Sequence, residues 1–174
     1  MNNTMCHIFI LHDVGDTIAH LAQAIADGAT SVPGVTVKIS QPNHATKADL
    51  IEADGIIIGT PNWTGIKGTL KRWLDTTGDL WEEGSLAGKI GAAFTSSAGR
   101  HSGTEFTLLS VLHWMLGSGM IIVGLPWSEM MIRSGSYYGA TAVGAVTEED
   151  LAQAYALGRR VAEVAVQLRR GAMP

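Results

Sequence analysis

Gly55-Ile56-Ile57-Ile58-Gly59-Thr60-Pro61-Asn62-Trp63-Thr64-Gly65 is an apolar run that ends on a polar turn. Three consecutive isoleucines between glycines suit a strand buried on both faces, as in a parallel sheet covered by helices. Directly after the turn, Ile66, Leu70, Trp73 and Leu74 recur at helical spacing, with Lys67, Lys71 and Arg72 on the wet face. A buried strand, a turn and an amphipathic helix in succession form half of a βαβ unit.

The same alternation extends in both directions. Towards the N-terminus, residues 5–11 read as a strand, and Ile18, Leu21, Ala22, Ile25, Ala26 and Ala29 mark a helix with Gly28 near its natural stop. A strand over 35–39 follows the Pro33-Gly34 turn, and 48–53 is a short helical stretch. Towards the C-terminus, 89–95 reads as a strand, 105–116 as a helix and 120–123 as a fifth strand. The last helix begins at Thr147, with Asp150 completing a capping box, and buries Leu151, Ala154, Gly158, Val161, Ala162, Ala165 and Leu168. Strands alternating with helices imply parallel pairing through right-handed crossovers. The expected fold is a flavodoxin-like three-layer α/β/α sandwich with a five-stranded parallel sheet in the order 2-1-3-4-5. Residues 1–174 form a single domain on this reading. The stretch 125–146, rich in Gly, Ser and Tyr, is expected to be an irregular insertion with a functional or interface role.

Composition narrows the functional classes. The 174 residues are 46% hydrophobic and 16% charged, which suits a chain with a real core. A net charge of -4 leaves no electrostatic footprint for nucleic acid or an anionic membrane. Cys6 is the only cysteine, so there is no internal disulfide and no cysteine-based zinc knuckle. No basic leader precedes the first strand, and no apolar run reaches membrane-span length. A cytoplasmic protein with no metal centre is expected.

In an open α/β sheet, ligands bind beyond the carboxyl ends of the strands. Three segments end there. The first carries Asp13, Val14, Gly15, Asp16, Thr17 and Ile18, after His12. The second carries Pro61, Asn62, Trp63, Thr64 and Gly65, where a flat indole beside turn amides suits a heteroaromatic ring with a polar edge. The third carries Ser96, Ser97, Ala98, Gly99, Arg100 and His101, whose cations would stabilise an anionic reduced flavin. The plainer alternatives are a Trp that fills core space and a solvated loop tip. Together these segments form the expected cofactor site.

An ordered set of landmarks carries a family resemblance. Gly59-Thr60-Pro61 with Gly65, then Leu74-Asp75-Thr76-Thr77-Gly78-Asp79-Leu80-Trp81, resembles the loop and helix of WrbA-type NAD(P)H:quinone oxidoreductases. Leu86-Ala87-Gly88-Lys89, Gly119-Met120-Ile121-Ile122-Val123-Gly124, Gly135-Ser136-Tyr137-Tyr138-Gly139-Ala140 and Leu157-Gly158-Arg159-Arg160-Val161-Ala162 resemble later landmarks of that family. The resemblance covers nearly the whole chain. It implies a flavodoxin-like fold, FMN, NAD(P)H-dependent two-electron reduction of quinones, and a homo-oligomer, dimer or tetramer.

Two positions depart from the pattern. Flavodoxin-like phosphate loops run hydroxyl-x-x-Gly-x-Thr, so that hydroxyls, amides and a helix N-terminus surround the phosphate. Counting back from Leu21, Asp13 falls on the leading hydroxyl and Asp16 on the glycine; with the gap placed differently, Gly15 keeps its role and Asp13 or His12 replaces the hydroxyl. A like-charge pair at 4 Å costs about 1 kcal/mol in water and about 4 at an effective dielectric of 20, so these carboxylates are expected to weaken FMN by an order of magnitude or more. The plainer reading makes Asp16 a helix N-cap. Ser118 stands where relatives often carry a histidine near the flavin.

Rival classes find little support. A receiver domain needs an Asp after strand three and a Lys after strand five, where Thr60-Pro61 and Leu125-Pro126 stand. Neither a G-x-S-x-G elbow nor a G-x-G-x-x-G fingerprint is present. His7, His20 and His113 read as packing residues. Two functions stay open: an FMN-dependent NAD(P)H:quinone oxidoreductase, or a non-catalytic flavodoxin-fold protein (an electron carrier or an oligomeric paralogue) with weakened or lost FMN binding.

Overall fold

The computed structural model describes residues 5–171. Strands β1 (Cys6–His12), β2 (Val35–Ser40), β3 (Gly55–Pro61), β4 (Ile90–Ser97), β5 (Ile121–Ile122) and β6 (Gly139–Val143) form one sheet. Its order is β2-β1-β3-β4-β5, every pairing is parallel, and β6 also pairs with β4. Helices α1 (Asp16–Thr30) and α6 (Glu148–Gly171) cover one face. The other face is covered by α2 (Lys47–Glu52), α3 (Gly68–Asp75), α4 (Gly78–Glu82) and α5 (Thr104–Gly117). This is the flavodoxin-like sandwich the alternation of elements implied.

Side-chain alternation along the strands builds both cores. Ile8 and Ile10 of β1 and Ile57 of β3 join α1 and α6. Phe9, Leu11, Ile56 and Ile58 point the other way, onto Leu50, Leu70, Leu74 and the α5 residues Leu108, Val111 and Met115. The apolar stripe of α1 is buried as its spacing predicts, and Gly28 stands near the end of the helix at Thr30. It lies inside α1, packed against α6, where Gly158 is also buried. Leu168 is exposed, beyond the part of α6 that meets the core.

The expected capping box is present: Asp150 Oδ2 accepts the Thr147 N–H at 2.9 Å and Thr147 Oγ1 accepts the Asp150 N–H at 3.2 Å. Asp150 also accepts the Ser134 hydroxyl at 2.5 Å, and Gln153 donates to the Ser134 carbonyl at 3.1 Å. The insertion is thereby tied to α6.

The insertion corrects the sequence reading in one respect. Residues 139–143, expected to be irregular, form β6. Ile90 and Gly91 pair with β5, whereas Ala93–Ser97 pair with Gly139–Val143, so two strands occupy the fifth position end to end. Gly139, at φ +154°, permits this: a Cβ there would stand 1.9 Å from the Ala93 carbonyl oxygen. Between the two strands, Glu129–Ile132 makes a 3₁₀ turn. Among the described residues, no helix is long and apolar enough to cross a membrane.

Candidate functional site

Strand register brings the loops together. His12 is level with Gly59, Pro61 with Ser96, and Ser97 with Val143, so the carboxyl ends of β1, β3, β4 and β6 open onto one side of the sheet. A hollow of about 630 Å³ lies there. Val14, Gly15, Asp16, Thr17 and Ile18 line it from the first loop, Pro61, Asn62 and Trp63 from the second, and Ser96, Ser97 and Ala98 from the third. Its size falls in the range of small-molecule sites, and most of its exposed lining is apolar.

One end of the hollow is the start of α1. The N-cap is Gly15, at φ +156° and without a side-chain cap. The first N–H groups of a helix have no partner within it, and the dipole favours an anion there. Gly15 thus keeps the glycine role, and Asp16 is the first helical residue, not the cap. Asp16 is exposed at the lip.

Asp13 does not stand where charge repulsion required. Its carboxylate is 1% exposed and faces a neighbouring hollow beside Pro42, Asn43, Thr69 and Trp73. Oδ1 accepts the Val14 N–H at 2.7 Å and lies 3.4 Å from Lys67 Nζ; Oδ2 accepts the Thr69 hydroxyl. The charge is compensated inside the protein, and only Asp16 is left to oppose an anion.

Beside the hollow, Trp63 is 72% exposed and therefore no core filler. Asn62 fixes its loop. The Asn62 Oδ1 accepts from Gly65 N–H and Thr107 Oγ1, each at 3.0 Å, while Nδ2 donates to the Ser102 carbonyl at 2.6 Å. Thr64 takes φ +57°, an uncommon conformation for a β-branched residue and typical of a functional turn. Thr64 and Gly65 shape the turn but do not line the hollow, and neither do Gly99, Arg100 and His101, the last two being exposed at the loop tip.

Lys67 and Gly144 line the hollow and were not foreseen. Lys67 reads in sequence as one more wet-face helical lysine. In fact it is the N-cap position of α3, turned back towards the first loop. Gly144 follows β6, the strand hidden in the insertion, and its N–H donates to the Ser97 carbonyl at 2.8 Å.

Ser118 lies elsewhere, in a groove between α3, α4 and α5 with Trp81, His113 and Trp114, and its hydroxyl donates to the Trp114 carbonyl at 3.0 Å. His7, His20 and His113 are exposed, contrary to a packing role; the buried histidine is His12, which bonds the Asp13 carbonyl at 2.8 Å through Nδ1.

A doubly wound sheet in this order, with a ligand-sized hollow at the carboxyl ends of its strands, defines a flavodoxin-like protein. The solved flavodoxin, WrbA-like protein from Agrobacterium tumefaciens superimposes with a TM-score of 0.75 at 24% identity, covering 93% of this chain and 98% of its own. The sequence model of the NADPH-dependent FMN reductase family matches residues 11–131, and the chain belongs to that family. An NAD(P)H dehydrogenase (quinone) from Archaeoglobus fulgidus is 38% identical over 92% of this chain and 97% of its own length. One from Methylocella silvestris is 39% identical over 87% and 92%.

Proposed function

We propose that this chain is an FMN-dependent NAD(P)H:quinone oxidoreductase. The observation that carries the reading is the convergence of an uncapped α1 N-terminus and the exposed Trp63 on one hollow of about 630 Å³. A phosphate fits the first feature and a flat ring the second. The absence of a Cβ at Gly15 leaves the backbone open to close approach, and the relatives named quinone dehydrogenases support the activity.

FMN, when bound, would supply two-electron transfer from NAD(P)H to a quinone, the hydroquinone taking up one further proton from solvent. This chain's residues bind and orient. Gly15, Asp16 and Thr17, at the start of α1, would hold the phosphate through their backbone amides. Trp63 and Pro61 would hold the ring, and Ser96, Ser97 and Ala98 would offer polar contacts to its edge. Arg100 and His101, at an exposed polar tip, would reach the ligand only if that loop closed on it. Their exposure supports a role at the mouth.

In the same reading the chain is a single-domain, cytoplasmic homo-oligomer. The lone buried Cys6 supports the compartment, and Phe106, Leu109 and Leu116, exposed on α5, support self-association. The electron-carrier alternative loses half its basis with the internal pairing of Asp13.

The test is spectroscopic and kinetic. Purified protein supplied with FMN is expected to turn yellow, melt at a higher temperature and oxidise NADH or NADPH only when 1,4-benzoquinone is present. A protein that stays colourless with an unmoved melting temperature under saturating FMN rejects the reading.

A further inference from the structure

Asp13 lies in the first loop, where phosphate loops of this type carry hydroxyls and amides, and charge counting alone makes it an obstacle. Its surroundings reverse that role. The carboxylate is 1% exposed, and its partners are the Val14 N–H at 2.7 Å, the Thr69 hydroxyl and, at 3.4 Å, Lys67 Nζ. Lys67 is placed differently: its side chain is 32% exposed, its ammonium lies 3.5 Å from the Val14 carbonyl, and it lines the hollow. The lysine backbone is held as well, its N–H donating to Thr60 Oγ1 at 3.2 Å and its carbonyl accepting from Lys71 at 3.0 Å. A cation is thus fixed at the rim from both ends, with its counter-charge buried in the adjoining hollow.

We propose that Asp13 and Lys67 act as one phosphate-binding unit, in which Asp13 positions Lys67 and Lys67 supplies the cation for the phosphate monoester of FMN. The inference rests on the FMN reading above. Lysine is an effective point-charge binder of phosphate, and here it adds a full charge to the partial charge of the α1 terminus. It also offsets Asp16 at the lip. The unit acts on the phosphate and not on the ring, so it discriminates FMN from riboflavin.

The experiment titrates the full chain, cleared of flavin, with FMN and with riboflavin, following flavin fluorescence at low and high salt. Lys67→Met is expected to weaken FMN about 10- to 50-fold while changing riboflavin less than about threefold, and to flatten the salt dependence. Lys67→Arg is expected to keep FMN within about threefold of the unaltered chain. Asp13→Asn removes a negative charge, so mere repulsion requires FMN to tighten; the positioning role requires it to weaken about 3- to 10-fold with riboflavin unmoved. Melting temperatures establish that each variant is folded. An unchanged FMN-to-riboflavin ratio in Lys67→Met, or tighter FMN in Asp13→Asn, overturns this inference and leaves the FMN reading standing. If the unaltered chain binds neither flavin, the FMN reading falls and this inference falls with it.

Discussion

Gly28 of α1 and Gly158 of α6 make a reciprocal close approach. A Cβ on Gly28 would stand 2.0 Å from the Tyr155 carbonyl oxygen, and one on Gly158 would stand 1.9 Å from that of Ile25. In both cases the obstacle is backbone, which cannot turn aside as a side chain can. Alanine normally gains about 1 kcal/mol over glycine within a helix, but overpacking a close contact costs about 1–3 kcal/mol or more. Gly28→Ala and Gly158→Ala are therefore each expected to lower stability in urea denaturation. The double variant should lose less than the sum, because the first methyl already separates the helices.

Asp49 closes the first turn of α2 by accepting the Thr46 N–H at 2.9 Å, and it pairs with Lys38 Nζ at 2.5 Å. Burial opposes its ionisation, yet the Lys38 ammonium and Thr46 outweigh that and hold the carboxyl below its ordinary value. A depressed folded value stabilises the protein above the unfolded value, and the gain is lost as pH falls through the folded one. Asp49→Asn should cost about 1–2 kcal/mol at neutral pH. Its stability curve should converge with that of the unaltered chain below pH 3.8, as measured by urea unfolding across pH.

Cys6 is 2% exposed, and burial, reinforced by the Asp54 carboxylate and partly offset by Arg169, pushes its thiol up to about 12. Native protein at pH 8 should react with Ellman's reagent only as fast as it opens, and promptly in urea. Between pH 9 and 12 the unfolded chain ionises this thiol and the folded chain does not. Stability should therefore fall with rising pH, by up to about 1.4 kcal/mol per unit relative to Cys6→Ala.

Trp63 lines the same hollow as Lys67. In the proposed site its indole would meet the ring and not the phosphate, so Trp63→Ala should weaken FMN and riboflavin alike, by about 2- to 12-fold. Titration by fluorescence gives both affinities, and unequal losses would remove the ring from Trp63.

Much of this was legible in the sequence because it depends on local chemistry. The isoleucine run at 56–58, the α1 stripe and the Thr147–Asp150 box each fix their element within a few residues, and the structure keeps them. Gly28 does stand near the end of α1, but its packing against α6 was hidden, because a glycine at a helix end and one at a helix crossing look the same until the partner helix is in place. β6 was hidden for a similar reason. Gly139-Ala140-Thr141-Ala142-Val143 has weak strand propensity and becomes a strand by pairing with β4. The three loops were found because sheet topology dictates where they open. The direction of the Asp13 carboxylate was not, since it depends on Thr69 and Lys67, more than 50 residues along the chain.

The divided fifth position also bears on how the protein stays apart from its neighbours. An open sheet ends in unpaired backbone groups that can recruit another chain, and natural proteins blunt such borders with short strands. Here that border consists of a two-residue and a five-residue strand separated by a folded excursion. Few consecutive backbone groups on it can template a foreign strand, so the segment that closes the sheet next to the hollow also guards the protein against aggregation.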